Sequence, residues 1–261
     1  MRRGWKWVAT VIATAPITLI IIDQGCFRGS GFPPPHLRRS DLFGQGRKHI
    51  PGTIALIVNG AISPQKNHAR YWNNTSLVFS TLKARGFERL AVLQSDGISP
   101  EPDQQARSFL GMFGTGTLRD SPRDLDGDGL DDVTGPGTVQ ALDRTLHDLG
   151  QSMQGGDRLL IFLTDHGQLR WNGLWASGVA MMWEKGELRG RELDRMLRSY
   201  VPDSCWVAIV AAQCHSTMFL NEVKRNNTLL VASGRPLVDS RLQCFPVPSV
   251  RCPFGARPGF G

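Results

Sequence analysis

The chain has 261 residues, enough to bury one full core. Its 41% hydrophobic and 20% charged residues argue against a disordered chain. The formal charge is +7, but the basic residues are scattered (Arg2-Arg3, Arg38-Arg39, Arg47-Lys48, Lys224-Arg225) and not interleaved with aromatics, which argues against a nucleic-acid partner. Five cysteines without zinc spacing exclude a zinc ribbon or finger.

Residues 1–26 read as an export segment. Arg2, Arg3 and Lys6 precede an uncharged, mostly apolar run from Val8 to Ile22, shorter than the ~20 residues that span a bilayer comfortably. A cleaved signal peptide, an uncleaved anchor and a lipid anchor at Cys26 all fit. Each places the folded part outside the cytoplasm, and the last two attach it to a membrane. Residues 27–50, with Pro33-Pro34-Pro35, read as a tether. A single domain is expected over 51–240, followed by an irregular Pro/Gly-rich tail, 241–261. Cys244 and Cys252 flank part of that tail and are open to bridging in an exported protein, and Cys205 leaves the pairing undetermined.

Within the domain, Thr53–Gly60 reads as a first strand ending at a glycine. Arg70–Arg85 reads as a helix stopped by Gly86. Leu90–Gln94 is a second strand. Asp124, Asp126, Asp128, Asp131 and Asp132 crowd one glycine-containing loop. Thr138–Leu149 is a helix with Thr138 as N-cap and Gly150 after it. Leu159–Thr164 is a strand running into Asp165-His166-Gly167. The stretch with Trp171, Trp175 and Trp183 is loop-like. Arg191–Tyr200 is a helix, Trp206–Gln213 a strand running into Cys214, Met218–Lys224 a helix, and Thr228–Ala232 a last strand. Strands alternating with helices imply βαβ crossovers, hence an α/β fold with a mostly parallel sheet and helices on both faces.

Two motifs carry chemistry. Parallel strands in open α/β sheets place ligands beyond their carboxyl ends, so the ends of the two apolar runs bring His166 and Cys214 toward one cleft. That is the minimum for a cysteine nucleophile with a histidine base. In the acidic loop, alternate carboxylates and turn glycines favour a hard cation, and Ca²⁺ is the expected one. Asp124, Asp126 and Asp128 would bind by side chains, Leu130 by its carbonyl, and Asp132 would complete the shell. Gly135 stands where an EF-hand has its bidentate glutamate, so the loop is not an EF-hand.

The order strand–His-Gly then strand–Cys resembles the caspase-like cysteine peptidases, and within them the legumain type. Asp165-His166-Gly167 is similar to the group's Asp-His-Gly, and Ala212-Gln213-Cys214-His215-Ser216 to its cysteine segment, especially in bacterial members with an aspartate-rich loop. The resemblance runs from about Ile54 to Ala232. It implies a caspase-like three-layer sandwich and an endopeptidase acting on peptide or protein substrates. Cys214 would be the nucleophile and His166 the general base and acid. The N–H groups of Gly167 and Cys214 would form the oxyanion hole. Arg70 would line the pocket for the residue before the scissile bond, favouring Asn or Asp, with Ser233 a second lining residue. The sequence departs from the family at Ser216-Thr217-Met218, bulkier than the usual turn, and at His215. Those changes would either narrow the pocket or mark an enzyme that has lost activity. A transpeptidase, a hydrolase of another acyl bond and a non-catalytic calcium-binding module of the same fold are the alternatives.

Overall fold

The computed structural model describes residues 8–10, 52–87, 89–105 and 117–234. The tether, the tail, Cys26, Cys244, Cys252 and all of the export segment except Val8–Thr10 lie outside the described residues.

In chain order the elements are β1 (Val8–Thr10), β2 (Thr53–Asn59), α1 (Ala69–Ala84), β3 (Arg89–Gln94), β4 (Gln104–Gln105), β5 (Leu118–Arg119) and α2 (Val139–Ser152). They continue with β6 (Arg158–Thr164), β7 (Gly167–Asn172), β8 (Trp175–Met181), β9 (Glu187–Arg189), α3 (Gly190–Tyr200), β10 (Trp206–Ala211), α4 (Ser216–Leu220) and β11 (Thr228–Ala232). The central sheet has the order β1-β11-β10-β6-β2-β3, and every pairing in it is parallel.

The apolar runs form strands because both faces of this sheet are covered, which favours unbroken Val/Ile/Leu over alternation. Residues alternate between two cores. Ala55, Ile57, Leu160 and Phe162 meet Val78, Phe79 and Leu82 of α1 on one face. Ile54, Leu56, Val58, Ile161 and Ile209 meet Leu142 and Leu146 of α2 and Leu193 and Leu197 of α3 on the other. The result is the expected α/β three-layer sandwich. From β2 the chain steps outward to β3, then returns to β6 and proceeds outward the other way through β10 and β11. The order therefore reverses between β2 and β6, where α/β sheets open a crevice at their carboxyl edge.

Local signals hold in several places. Gly86, at φ 77°, follows α1 in the left-handed conformation of a helix stop. Thr138 caps α2, its Oγ1 accepting the Ala141 N–H at 3.1 Å.

Three expectations need correction. Gly150 lies inside α2 and does not end it. A Cβ there would lie 2.2 Å from the Tyr200 carbonyl oxygen, so the glycine lets α2 approach α3. The tryptophan stretch is not a loop: β7, β8 and β9 form an antiparallel three-stranded sheet. The helix expected at Met218–Lys224 forms earlier, as α4. His215 adopts a left-handed conformation (φ 57°) and opens it at Ser216, while Asp194 Oδ1 accepts the N–H groups of Lys224 and Arg225 at 2.6 and 2.7 Å. Those two N–H groups are thereby drawn away from any helical ladder.

Candidate active site

His166 and Cys214 follow the carboxyl ends of neighbouring strands. β6 and β10 pair in register up to Leu163 and Ala211. Beyond that pair the two chains stay in contact: a Cβ on Gly167 would lie 1.9 Å from the Cys214 carbonyl oxygen and 2.9 Å from Gln213 Cγ. Only glycine permits this approach. It also brings together the backbone segments of Gly167 and Cys214, where the resemblance implies an oxyanion hole.

Asp165, between β6 and His166, has φ 124°, a strained conformation for a residue with a side chain. The residue is 4% exposed. No hydrogen bond of good geometry reaches either oxygen, and His166 Nε2 is 3.8 Å from Oδ1. Burial pushes its pKa well above the ordinary carboxylate range, and the His166 and Ala61 N–H groups and the Arg70 charge only partly offset this.

The imidazole itself is fixed by residues the sequence did not single out. The Tyr71 hydroxyl is 3.3 Å from Nδ1 and 3.2 Å from Nε2. Being nearly equidistant from both nitrogens, it sits over the ring and not in line with either lone pair. The Lys66 carbonyl lies 3.2 Å from Nε2. A proton on Nε2 donates to that carbonyl, which leaves Nδ1 as the basic nitrogen. His68 packs edge-on at 5.9 Å between ring centroids. Burial, with the charges of Arg70, His68 and Lys66, pulls the His166 pKa down to about 4. The ring is neutral at pH 7, the form a base requires.

Arg70, in the first turn of α1, does reach this site. Its Nη2 donates to the Tyr71 hydroxyl at 2.7 Å, and its guanidinium lies 4.7 Å from the centroid of the Tyr71 ring. Its buried Nε has no acceptor. Tyr71 is buried, and that burial raises its pKa, so its hydroxyl stays protonated.

The departures after Cys214 have a structural task. Ser216 Oγ accepts the Gly234 N–H at 2.9 Å, and the Thr217 hydroxyl donates to the Gly234 carbonyl. Two buried hydroxyls thus clamp the turn after Cys214 to the chain after β11, and with it Ser233. The Ser233 Oγ is buried without a hydrogen-bond partner. Cys205 is buried and unbridged, its thiol donating to the Gln154 carbonyl at 3.1 Å, as expected of a packing residue.

Two further residues were missed. Asn59 ends β2, and Gln213 precedes Cys214. They are 0% and 1% exposed, and neither side-chain amide has a partner at either end. The available signal was a polar residue at the end of an apolar strand, Asn59 before Gly60 and Gln213 before Cys214.

The acidic loop is only partly assembled as expected. Carboxylate oxygens of Asp124, Asp126 and Asp128 lie within 4.8 Å of one another. Asp132 does not belong to that set: its Oδ2 accepts the Leu125 N–H at 2.8 Å. Lys83 on α1, which the sequence did not implicate, sends its ammonium to Asp126 and Asp128 at 2.5 and 2.8 Å. Lys83 thus pairs with two of the three clustered carboxylates.

No family model and no curated protein matches the chain. Among solved structures, protein GSU0716 from Geobacter sulfurreducens is similar at 14% identity with a TM-score of 0.40, over 64% of this chain and 52% of that one. The chain thus spans about half the length of that structure.

Proposed function

We propose that the protein is an exported cysteine endopeptidase of the legumain type, acting outside the cytoplasm through Cys214 and His166. The observation that carries this reading is the contact of Gly167 with the Cys214 backbone, which sets the two strand ends side by side. His166 Nδ1 takes the thiol proton as sulfur attacks the peptide carbonyl, and the oxyanion faces the N–H groups of Gly167 and Cys214. His166 then gives that proton to the departing amine. Water, its proton taken by the same nitrogen, hydrolyses the thioester. Tyr71 and the Lys66 carbonyl hold the ring throughout. Arg70, whose Nε lacks an acceptor, is the bidentate partner for an acidic or amide side chain before the scissile bond, with Ser233 beside it. The acidic loop holds Ca²⁺ on Asp124, Asp126 and Asp128 as a structural ion.

The test is cleavage of a peptide library by the purified protein in reductant, with calcium or chelator, beside Cys214→Ala. Cleavage after Asn or Asp that the variant lacks supports the reading. Cleavage after Lys or Arg removes Arg70 from the pocket. Absence of cleavage with a thiol inert to alkylation favours the non-catalytic calcium-binding module. Added amine that diverts the acyl group into a new amide identifies a transpeptidase.

A further inference from the structure

The β7–β8 ribbon begins at Gly167, next to the candidate site, and runs away from it. β9 pairs only with Val179–Met181 of β8. From Leu169↔Gly178 to Asn172↔Trp175 the ribbon is therefore two-stranded. Its turn is Gly173-Leu174. Gly173 has φ 62° and Leu174 is not left-handed, the pattern of a tight hairpin with glycine first. At the base, Arg170 Nε donates to both Glu187 carboxylate oxygens at 3.0 Å and braces the ribbon to β9.

The tip exposes large apolar side chains on both faces and at its end. Trp171 is 66% exposed, Leu174 93% and Trp175 81%, three of the six large hydrophobic side chains exposed among the described residues. Residues directly opposite in an antiparallel pair share a face. Trp171 pairs with Ala176 and Trp175 with Asn172, so the two tryptophans lie on opposite faces, with Leu174 at the end. A protein partner docking on the ribbon would cover one face and leave the other indole in water. A medium that surrounds the tip covers both faces and the end together. Two-stranded ribbons are marginal in water, which makes such exposure costly without a partner.

We infer that the Trp171-Leu174-Trp175 tip inserts into the interfacial region of a lipid bilayer. Indole rings favour that depth, where the ring body is buried and the N–H stays near the headgroups. Two sequence features point the same way: the basic, apolar segment from Arg2 to Ile22, which reads as an export segment, and the charge of +7, which favours an anionic surface. β7 is six residues long, so the tip stands about 17 Å beyond the strand's first residue, next to His166.

The experiment uses the full chain with vesicles of phosphatidylcholine and phosphatidylglycerol carrying brominated acyl chains, which quench only nearby indoles. The difference in emission between the wild type and Trp171→Phe/Trp175→Phe isolates the two tip residues from the other five tryptophans. The expected result is a difference spectrum that shifts to the blue and is quenched by brominated but not by ordinary lipid, with Leu174→Glu abolishing both changes. A difference spectrum unmoved by either vesicle overturns the inference. A self-association in solution that Leu174→Glu dissolves, without lipid quenching, replaces the bilayer with a second copy of the chain. Circular dichroism of each variant, matched to the wild type, establishes that the fold is retained.

Discussion

The two ends of the central sheet differ in how far their buried polar groups are paired. At the amino end, Asp157 before β6 accepts the N–H groups of Gly52 and Gln154 at 2.7 and 2.9 Å. Arg225, 3% exposed, donates to the carbonyls of Cys205, Asn226, Val201 and Pro202. At the carboxyl end, Asn59, Gln213 and Ser233 bury polar atoms without hydrogen bonds, no hydrogen bond of good geometry reaches the Asp165 carboxylate, and Asp165 and His215 take left-handed backbone conformations. Pairing a buried polar group stabilises a fold, whereas leaving one unpaired costs about 1–3 kcal/mol. Among the described residues, buried polar atoms without a partner thus gather at the carboxyl end, with Arg225 Nε the exception at the amino end.

The largest expected effect tests the carboxyl end directly. Cys214→Ala lowers kcat/KM for peptide cleavage by about 10⁴-fold, with the thermal midpoint retained. His166→Ala matches it. Both are measured on the best substrate from the library, and survival of cleavage in either variant breaks the assignment.

A crossed pair of substitutions sharpens the contrast. Asp157→Ala strands two N–H groups and costs about 2–4 kcal/mol in urea titration, with activity per folded molecule unchanged. Gln213→Leu removes an unpaired amide and changes stability by less than about 1 kcal/mol, yet lowers kcat/KM by about 10²-fold through the turn before the nucleophile. Equal stability losses at the two ends would show that the unpaired groups are ordinary core.

The pH dependence follows from His166. Its pKa falls from 6.5 to about 4 on folding, so between those values the folded state binds fewer protons than the unfolded. The stabilisation from burying the neutral ring is full above pH 6.5 and is lost as pH falls toward 4. Asp165, shifted upward, contributes with the opposite sign, and comparison with His166→Gln separates the two. The acid limb of kcat/KM is expected near pH 4, where the base is protonated, and a limb near 6.5 would mean the ring is not buried as described.

The smallest effect concerns the acidic loop. Lys83→Met removes the ammonium that shares Asp126 and Asp128 and modestly tightens calcium binding, read by calorimetry. Binding that is unchanged would place the ion elsewhere or nowhere.

The sequence by itself determined what is local. Unbroken apolar runs specified strands buried on both faces, Thr138 and Gly86 specified helix ends, and His166 and Cys214 were legible because each follows such a strand. Tertiary structure decided what depends on distant parts of the chain. Tyr71 lies over His166, Lys83 enters the acidic loop, Gly150 yields to Tyr200, and Thr217 clamps Gly234. The tryptophan stretch became a ribbon only through pairing with strands on either side of its turn. Periodicity and capping act over one turn or one strand and so leave a signature in sequence order. Contacts between separate elements are set by how the layers pack, and no local pattern records them.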